Sequence, residues 1–361
     1  MHPLFDEQQQ ERKREAMAFA KAHLRGETVQ ALAVPEAYGG AGDVDLFTSM
    51  PIMEGLGYGC PDNGLCFALN AQMWTVQLPI AEFGTEALKK KYLPSMAKGE
   101  LIGAHAVTEP NHGSDAFSME THAAKVEGGY RLNGTKKLVS LAPIADMALV
   151  FATINPDIGK WGITAFLVDL KAEGVSVSAN KEKMGLRTVP IGEIQFANCF
   201  LPESQRLGPE GAGASISNHS LEIERCSILA SQLGAMERQL ECSIARAKSR
   251  KQFGKPIGQF QSISNRVADM KLRLETARLL LYQVAWLKQN KQPAMMESAM
   301  LKLHLSESFL SSSLDAIRIH GGDGYLTENE IERDLRDSVG GVLYAGTSDI
   351  QRNVIASMLG L

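Results

Sequence analysis

None of the five cysteines in this 361-residue chain, Cys60, Cys66, Cys199, Cys226 and Cys242, forms a C-x-x-C pair. The usual spacing of a zinc site or a dithiol motif is therefore missing. The five read as small buried hydrophobes in a reducing compartment, with no metal called for. Basic charge is not in excess either: the net charge is −4, so no positive field favours a nucleic-acid partner. No run of about 18 apolar residues predicts a membrane-spanning helix. The opening "MHPLFDEQQQERKREAM" lacks an apolar stretch and mixes acids with its bases, unlike a signal peptide or an organellar presequence. Internal repeats and low-complexity tracts are absent as well. These absences leave the expectation of a soluble cytoplasmic protein whose 44% apolar content can fill roughly two or three domain cores.

What is present is a change of pattern along the chain. Residues 1–103 read as helical and loop-rich, with glycine punctuation in "PEAYGGAG" (35–42). Over 104–208 come short β-branched or aromatic runs, among them "YRLNGTKKLVSL", "DMALVFATI", "GITAFLVDL" and "GEIQFANCFL". Most are separated by Gly, Asn, Asp or Pro, which predicts a compact sheet or barrel domain. Over 209–361 the helix period returns. Ile263, Val267, Met270, Leu274, Ala277, Leu281 and Val284 recur at steps of four and three, the stripe of a long helix in a bundle. Further helices are expected across 294–318 and 346–359. The fold class is α+β, in the order helical domain, β domain, helical bundle.

Several polar motifs interrupt this pattern. In "VTEPNHGSD" (107–115), Thr108 and Ser114 offer hydroxyls and Gly113 lets a ligand approach the backbone; the plainer alternative is a polar turn ending a strand. "SRKQFGKPIGQFQ" (249–261) places Arg250 where a guanidinium could clamp a pyrophosphate, or could simply end a helix in solvent. "IHGGDGY" (319–325) supplies Gly321 and Gly322, again suited to close approach.

Together with "RLNGTKKLVS" (131–140), "MGLRT" (184–188) and "YAGTSDIQR" (344–352), these ordered motifs resemble the acyl-CoA dehydrogenase family of flavoproteins. The resemblance runs from about residue 35 to the C-terminus. It implies an N-terminal α domain, a central β domain, a C-terminal four-helix bundle, and FAD as cofactor. It also implies roles for individual residues. His105, Val107, Thr108, Gly113, Ser114, Leu138 and Ser140 would receive the flavin and the chain leading to its pyrophosphate. Leu138 stands where relatives usually have Trp, and Ser140 where they usually have Thr. Arg250, Gln252, Phe253 and Gln261 would reach the FAD of a neighbouring subunit, and Arg318, Gly321, Gly322, Thr347 and Asp349 complete the cofactor set. Such a shared site implies a homodimer or homotetramer. Ser114, Arg225, Tyr344 and Gly346 are the expected substrate contacts.

Oxidising an acyl thioester between Cα and Cβ needs a carboxylate base sheltered from water and a donor that polarises the carbonyl. Many family members carry the base as Glu between Tyr and Gly of the last motif; here that residue is Ala345, which keeps only its backbone N–H. A subset of the family places the base on the first long helix of the bundle, directly before Arg. Glu224 in "HSLEIERCSILA" (219–230) matches that position and is followed by Arg225, while Glu222 points to another helix face. The expected reaction is FAD-dependent α,β-dehydrogenation with Glu224 as base and the Ala345 N–H on the thioester carbonyl. The acyl group would ride on CoA or on a carrier protein, as in the prolyl-carrier oxidases of secondary metabolism, with an electron-transfer flavoprotein or oxygen taking the electrons. At "GLRTVP" (185–190), Val189 and Pro190 replace a polar pair that could touch the thioester arm. Rival readings are a flavin monooxygenase or oxidase, and a non-catalytic flavoprotein. Relatives carry more chain between the first helix and "VPEAYGG" than the "RGETVQ" (25–30) found here, so the N-terminal domain reads as shortened.

Overall fold

The computed structural model describes residues 7, 10, 11, 13–17, 31–41 and 46–361; the joining segment 25–30 lies outside them. Helix α1 (Leu46–Gly59) precedes α2 (Asn63–Asn70), which starts where the Asp62 carboxylate accepts the Leu65 N–H at 3.0 Å. The chain continues without a break through a π-helical stretch (Ala71–Gln77) into α3 (Leu78–Phe83). Helix α4 (Glu86–Ala97) follows, capped by Thr85.

The middle of the chain folds into one eight-stranded mixed sheet. Its strands are β1 (Gly103–Ala106), β2 (His122–Val126), β3 (Gly129–Ser140), β4 (Met147–Thr153), β5 (Ile163–Asp169), β6 (Val175–Val177), β7 (Ile191–Pro202) and β8 (Arg206–Leu207). The order is β6-β7-β3-β2-β4-β5-β8, with β1 parallel to β4 on the side. Strand β4 explains why the sequence run there is apolar throughout. Met147, Leu149 and Phe151 face a core shared with Ile80, Leu93 and Met96 of the N-terminal helices, while Ala148, Val150 and Ala152 face a second core with Phe166, Val168 and Ile194.

Beyond the sheet come α5 (Gly213–Ser249), α6 (Gln261–Gln289) and α7 (Met295–His320), joined between α5 and α6 by the short ribbon β9 (Lys251–Gln252) and β10 (Lys255–Pro256). The expected stripe is the buried side of α6: Met270, Leu274, Ala277, Leu281 and Val284 lie in the helical core with Leu229, Leu233, Leu305 and Phe309. Helix α1 joins this core by pressing its backbone onto α5. A β-carbon added at Gly234 would stand 2.0 Å from the Glu54 carbonyl oxygen, so only glycine admits the contact. The short α8 (Gly322–Tyr325), α9 (Ile331–Gly341) and α10 (Ser348–Met358) close the bundle. The charged segment of α9 carried no helical expectation; its buried positions are Asp334, Asp337, Ser338 and Gly341, so no apolar period marks it.

Four of the cysteines are buried as expected, but Cys242 is exposed, beside Glu241 on the outer face of α5. Among the described residues no helix is long and apolar enough to cross a membrane, and no group of three or more His, Cys, Asp or Glu side chains could hold a metal ion.

Candidate active site

A cavity of about 750 Å³ opens where α2, the sheet, α5 and the α9–α10 connection meet. Its sheet wall is built by the loop after β1. Lys136 of β3 is completely buried, and its ammonium donates to Glu109 at 2.7 Å and to the Val107 carbonyl at 3.0 Å. The Glu109 carboxylate in turn accepts the N–H groups of Glu120 and Thr121, at 2.6 and 3.0 Å. Burial pushes the Lys136 pKa down to about 8, and Glu109 partly offsets this. The pair ties Val107 and Thr108 against β3, where Lys137 N–H also donates to Thr108 O at 2.7 Å. Neither Glu109 nor Lys136 was singled out in the sequence; both sit inside motifs read for their hydroxyls and glycines.

His105, Val107, Thr108, Gly113, Ser114, Leu138 and Ser140 all line the cavity. The β3–β7 register shifts between Lys136 and Val139, and at that bulge Leu138 adopts φ 56° and stands 57% exposed instead of joining the sheet core. The His105 ring meets Phe151 edge-on at 5.4 Å, and its Nε2 is buried without a partner among the described residues. Burial, with Lys136 nearby, lowers the His105 pKa to about 4, so the imidazole is neutral at pH 7.

The opposite wall is α5, whose Ser217, Leu221 and Glu224 line the cavity at helical spacing, with Arg225 alongside. Glu224 is 8% exposed, and its Oε2 has no hydrogen-bond partner among the described residues. Burial drives its pKa up to about 7, against the pull of Arg225 and Lys302. Glu222 faces elsewhere, pairing with Lys288 at 2.9 Å and accepting the Ala294 N–H at 3.2 Å.

Tyr344, Ala345, Gly346 and Thr347 form the third wall. Tyr344 packs on Phe67 with ring centroids 4.9 Å apart, and its hydroxyl accepts from Gln232 at 2.7 Å. Ala345 has φ 52° and Gly346 φ 83°, and the buried Gln351 amide donates to both carbonyls at 3.1 and 3.0 Å. No acceptor among the described residues takes the Ala345 N–H. Thr347 caps α10 by accepting the Ile350 N–H at 3.2 Å. Over the rim, α9 pins the 183–189 loop: Asp337 accepts the Leu186 N–H at 2.6 Å and Arg336 donates to Met184 O at 3.1 Å. Val189 is buried and lines the cavity with apolar surface.

The remaining expected cofactor residues do not reach this cavity. Arg250, Gln252, Phe253, Gly321 and Gly322 line a separate cleft of about 600 Å³ that shares no lining residue with the first. Phe253 is 93% exposed there at φ 50°. Gln261, Arg318 and Asp349 line neither. Arg318 is engaged by Asp315 at 3.3 Å, and Asp349 pairs with Arg352 at 2.9 Å in the exposed first turn of α10.

The main cavity thus sets an unpaired carboxylate, poised to ionise near neutrality, among the same lining residues as an unused backbone N–H. Such a pair can take a proton from carbon beside a carbonyl whose oxygen rests on the N–H.

Comparison with known proteins follows the same three-part division. Family models for the acyl-CoA dehydrogenase N-terminal, middle and C-terminal domains match residues 3–100, 104–199 and 211–360. An L-prolyl-[peptidyl-carrier protein] dehydrogenase of Pseudomonas fluorescens is 44% identical over 331 residues, covering 91% of this chain and 87% of that protein. The crystal structure of the prolyl acyl carrier protein oxidase AnaB superposes with a TM-score of 0.96 at 44% identity, over 99% of this chain and 100% of that one. The structure of PigA with FAD and proline gives 0.96 at 38% identity, over the whole of both chains.

Proposed function

The chain belongs to the acyl-CoA dehydrogenase family, and on that premise we propose that it is an FAD-dependent dehydrogenase of a prolyl-type aminoacyl group tethered to a carrier protein. The similarity to the Pseudomonas fluorescens protein, which spans most of both chains, supports the carrier-protein substrate over a CoA ester.

The residues present fit a flavin. The sheet wall offers the Ser140 and Thr108 hydroxyls and the open backbone at Gly113, and Leu138 is turned out of the sheet to cover a ring. The buried Nε2 of His105, without a partner among the described residues, is left for a polar contact with it. The volume admits a tricyclic ring together with a small acyl group, within the ~300–1,000 Å³ common for ligand sites. Arg250, Gln252, Phe253, Gly321 and Gly322, with Gln261 and Arg318, would serve the nucleotide half of an FAD held mainly by a second copy, so the working unit is a homodimer or homotetramer. Thr347 and Asp349 would complete the cofactor contacts at the start of α10.

FAD, when bound, supplies the hydride acceptor. The protein's part is proton chemistry and charge placement. Glu224, ionised at working pH, takes the α-proton, and its unpartnered oxygen leaves the acceptor lone pair free. The Ala345 N–H receives the thioester oxygen as negative charge develops there. Arg225, Tyr344, Gly346 and Ser114 line the space that would hold the acyl group.

The observation that carries this reading is Glu224: buried, unpaired, raised to about 7, and in the cavity whose terminal motif has lost its own carboxylate. The test is anaerobic bleaching of the flavin by prolyl-carrier protein and by a panel of short acyl-CoA esters, with wild type and Glu224→Gln. Bleaching by the carrier-bound prolyl group in wild type, abolished in the variant, is the expected result. Bleaching only by CoA esters would overturn the substrate, and full bleaching in the variant would overturn the base.

A further inference from the structure

Two helical stripes that run in opposite directions line the main cavity. Phe67, Ala71 and Thr75 belong to α2 and the π-helical stretch, and Ser217, Leu221 and Glu224 to α5. Core packing fixes their relative direction. Cys66, Leu69 and Met73 share one core with Ile223, Cys226 and Leu229, whereas Val76 and Ile80 share another with Ala214 and Ile216. Thr75 therefore lies towards the start of α5 and Phe67 towards its later turns. One turn beyond Glu224, Ile228 is already buried in the core, and a further turn on, Gln232 donates to the Tyr344 hydroxyl at 2.7 Å. Neither lines the cavity, so it closes at the Glu224 end.

Side chains from three separate elements meet there. The Phe67 ring packs on Tyr344 with centroids 4.9 Å apart and planes inclined at 57°. Leu186 comes from the 183–189 loop. A β-carbon added at Gly340 of α9 would stand 3.2 Å from Leu186 Cδ1 and 3.4 Å from Tyr344 Cε1, so both side chains lie on one stretch of α9 backbone. Leu186 is also held in place. It has φ 49°, in the left-handed region that side chains rarely adopt, and its N–H is gripped by Asp337 at 2.6 Å. The loop is tied on either side of it, at Met184 O by Arg336 at 3.1 Å and at the Thr188 hydroxyl by Asp62 at 2.8 Å. Phe67 and Leu186 are both half-buried and line the cavity, while one turn from Phe67 the small Ala71 lets the wall recede.

We propose that Phe67 and Leu186, set against Tyr344, are specificity-determining residues that close the acyl pocket beside Glu224 and select a five-membered ring over a larger one. The inference rests on the acyl group being oxidised next to Glu224. Its physical basis is a wall that cannot give way. Phe67 is backed by a tyrosine whose hydroxyl is tied to α5, and Leu186 by a loop clamped at three points. Forcing an extra methylene against such a wall costs packing that a mobile side chain would avoid. A single methylene at a well-formed apolar pocket discriminates by about 10–200-fold.

The test uses the full-length FAD-loaded protein and compares carrier-bound prolyl with carrier-bound pipecolyl, its six-membered homologue, by anaerobic flavin reduction. Wild type should favour prolyl by about tenfold or more in kcat/KM. Phe67→Ala should bring the ratio to about one, chiefly through a lower KM for pipecolyl, and Leu186→Ala should shift it the same way by less. Phe67→Leu carries the same expectation in weaker form and replaces the Ala variant if that one does not fold or load. A merely structural role would weaken both substrates alike. An unchanged ratio in folded, loaded variants, or no preference in wild type, therefore overturns the proposal. If neither thioester bleaches wild type, the proposed function falls and the gate is read by binding instead. The unreactive amides prolinamide and pipecolamide then serve as probes of the flavin spectrum. Prolinamide should bind more tightly to wild type and the two should level in Phe67→Ala. Equal affinities in wild type, a difference kept in the variant, or no binding of either overturns the gate.

Discussion

Glu54 of α1 and Glu224 of α5 are both buried in the helical half of the molecule, yet they ionise in opposite directions. Glu54 receives Arg278 at 2.9 Å, Lys13 at 2.8 Å and the Tyr282 hydroxyl at 3.1 Å. Burial pushes its carboxyl up, but Arg278 and Lys13 more than reverse this, and its pKa lies below the usual carboxylate range. Glu224 is buried too, but the cations near it make no hydrogen bond to its Oε2, and burial prevails. The difference is one of contact rather than of charge count. A carboxylate gripped by its partners is a structural pin, whereas one that only feels their field remains available to accept a proton.

That contrast can be broken at either end. The largest effect is expected from Glu224→Gln, which should lower the rate of substrate-driven flavin reduction by about a thousandfold without lowering the melting temperature; stopped-flow absorbance and calorimetry check the two halves. Glu54→Ala should do the reverse, removing about 3–5 kcal/mol of stability in a urea titration because Arg278 and Lys13 lose their buried partner, with kcat/KM per folded molecule kept.

The pH response separates the two residues again. Below about pH 7, kcat/KM should fall about tenfold per unit as Glu224 gains its proton. Stability follows the opposite signs. The folded pKa of Glu224 is raised, so its contribution is fully present below the ordinary carboxylate value and is lost as pH rises through about 7. The folded pKa of Glu54 is lowered, so its contribution is present above the ordinary value and is lost as pH falls through the depressed one. Melting curves of Glu224→Gln against wild type should therefore diverge in favour of the variant as pH rises from acid to neutral, and show no such trend if Glu224 is paired. The smallest effect is expected from Tyr344→Phe: losing the 2.7 Å bond from Gln232 should cost about 1 kcal/mol and change turnover a few-fold.

Much of this was legible in the residue order. The 263–284 stripe became the buried side of α6, and the short β-branched or aromatic runs became β3, β4, β5 and β7. Glu224 and Ala345 were read as one problem in the sequence and line one cavity in the structure. What was not legible depends on partners far along the chain. The Lys136–Glu109 pair and the clamp of Asp337 on Leu186 are defined by burial, and burial of a charged side chain is set by tertiary packing. Leu138 reads as one more strand residue until the bulge turns it outward. Cys242 shows the same limit from the other side, an apolar residue type left on the surface.

Ala345 holds a left-handed backbone, a conformation costing about 1–2 kcal/mol for a residue with a side chain, and Gln351 braces the Ala345 and Gly346 carbonyls. The loop is shaped by its main chain and by a residue from α10, and the side chain at 345 has no part in it. A carboxylate at 345 could therefore be exchanged for one on α5 without disturbing the turn. On the proposed reading the proton acceptor and the oxygen-binding N–H stand on separate elements, α5 and the α9–α10 connection, so either can be changed without disturbing the other.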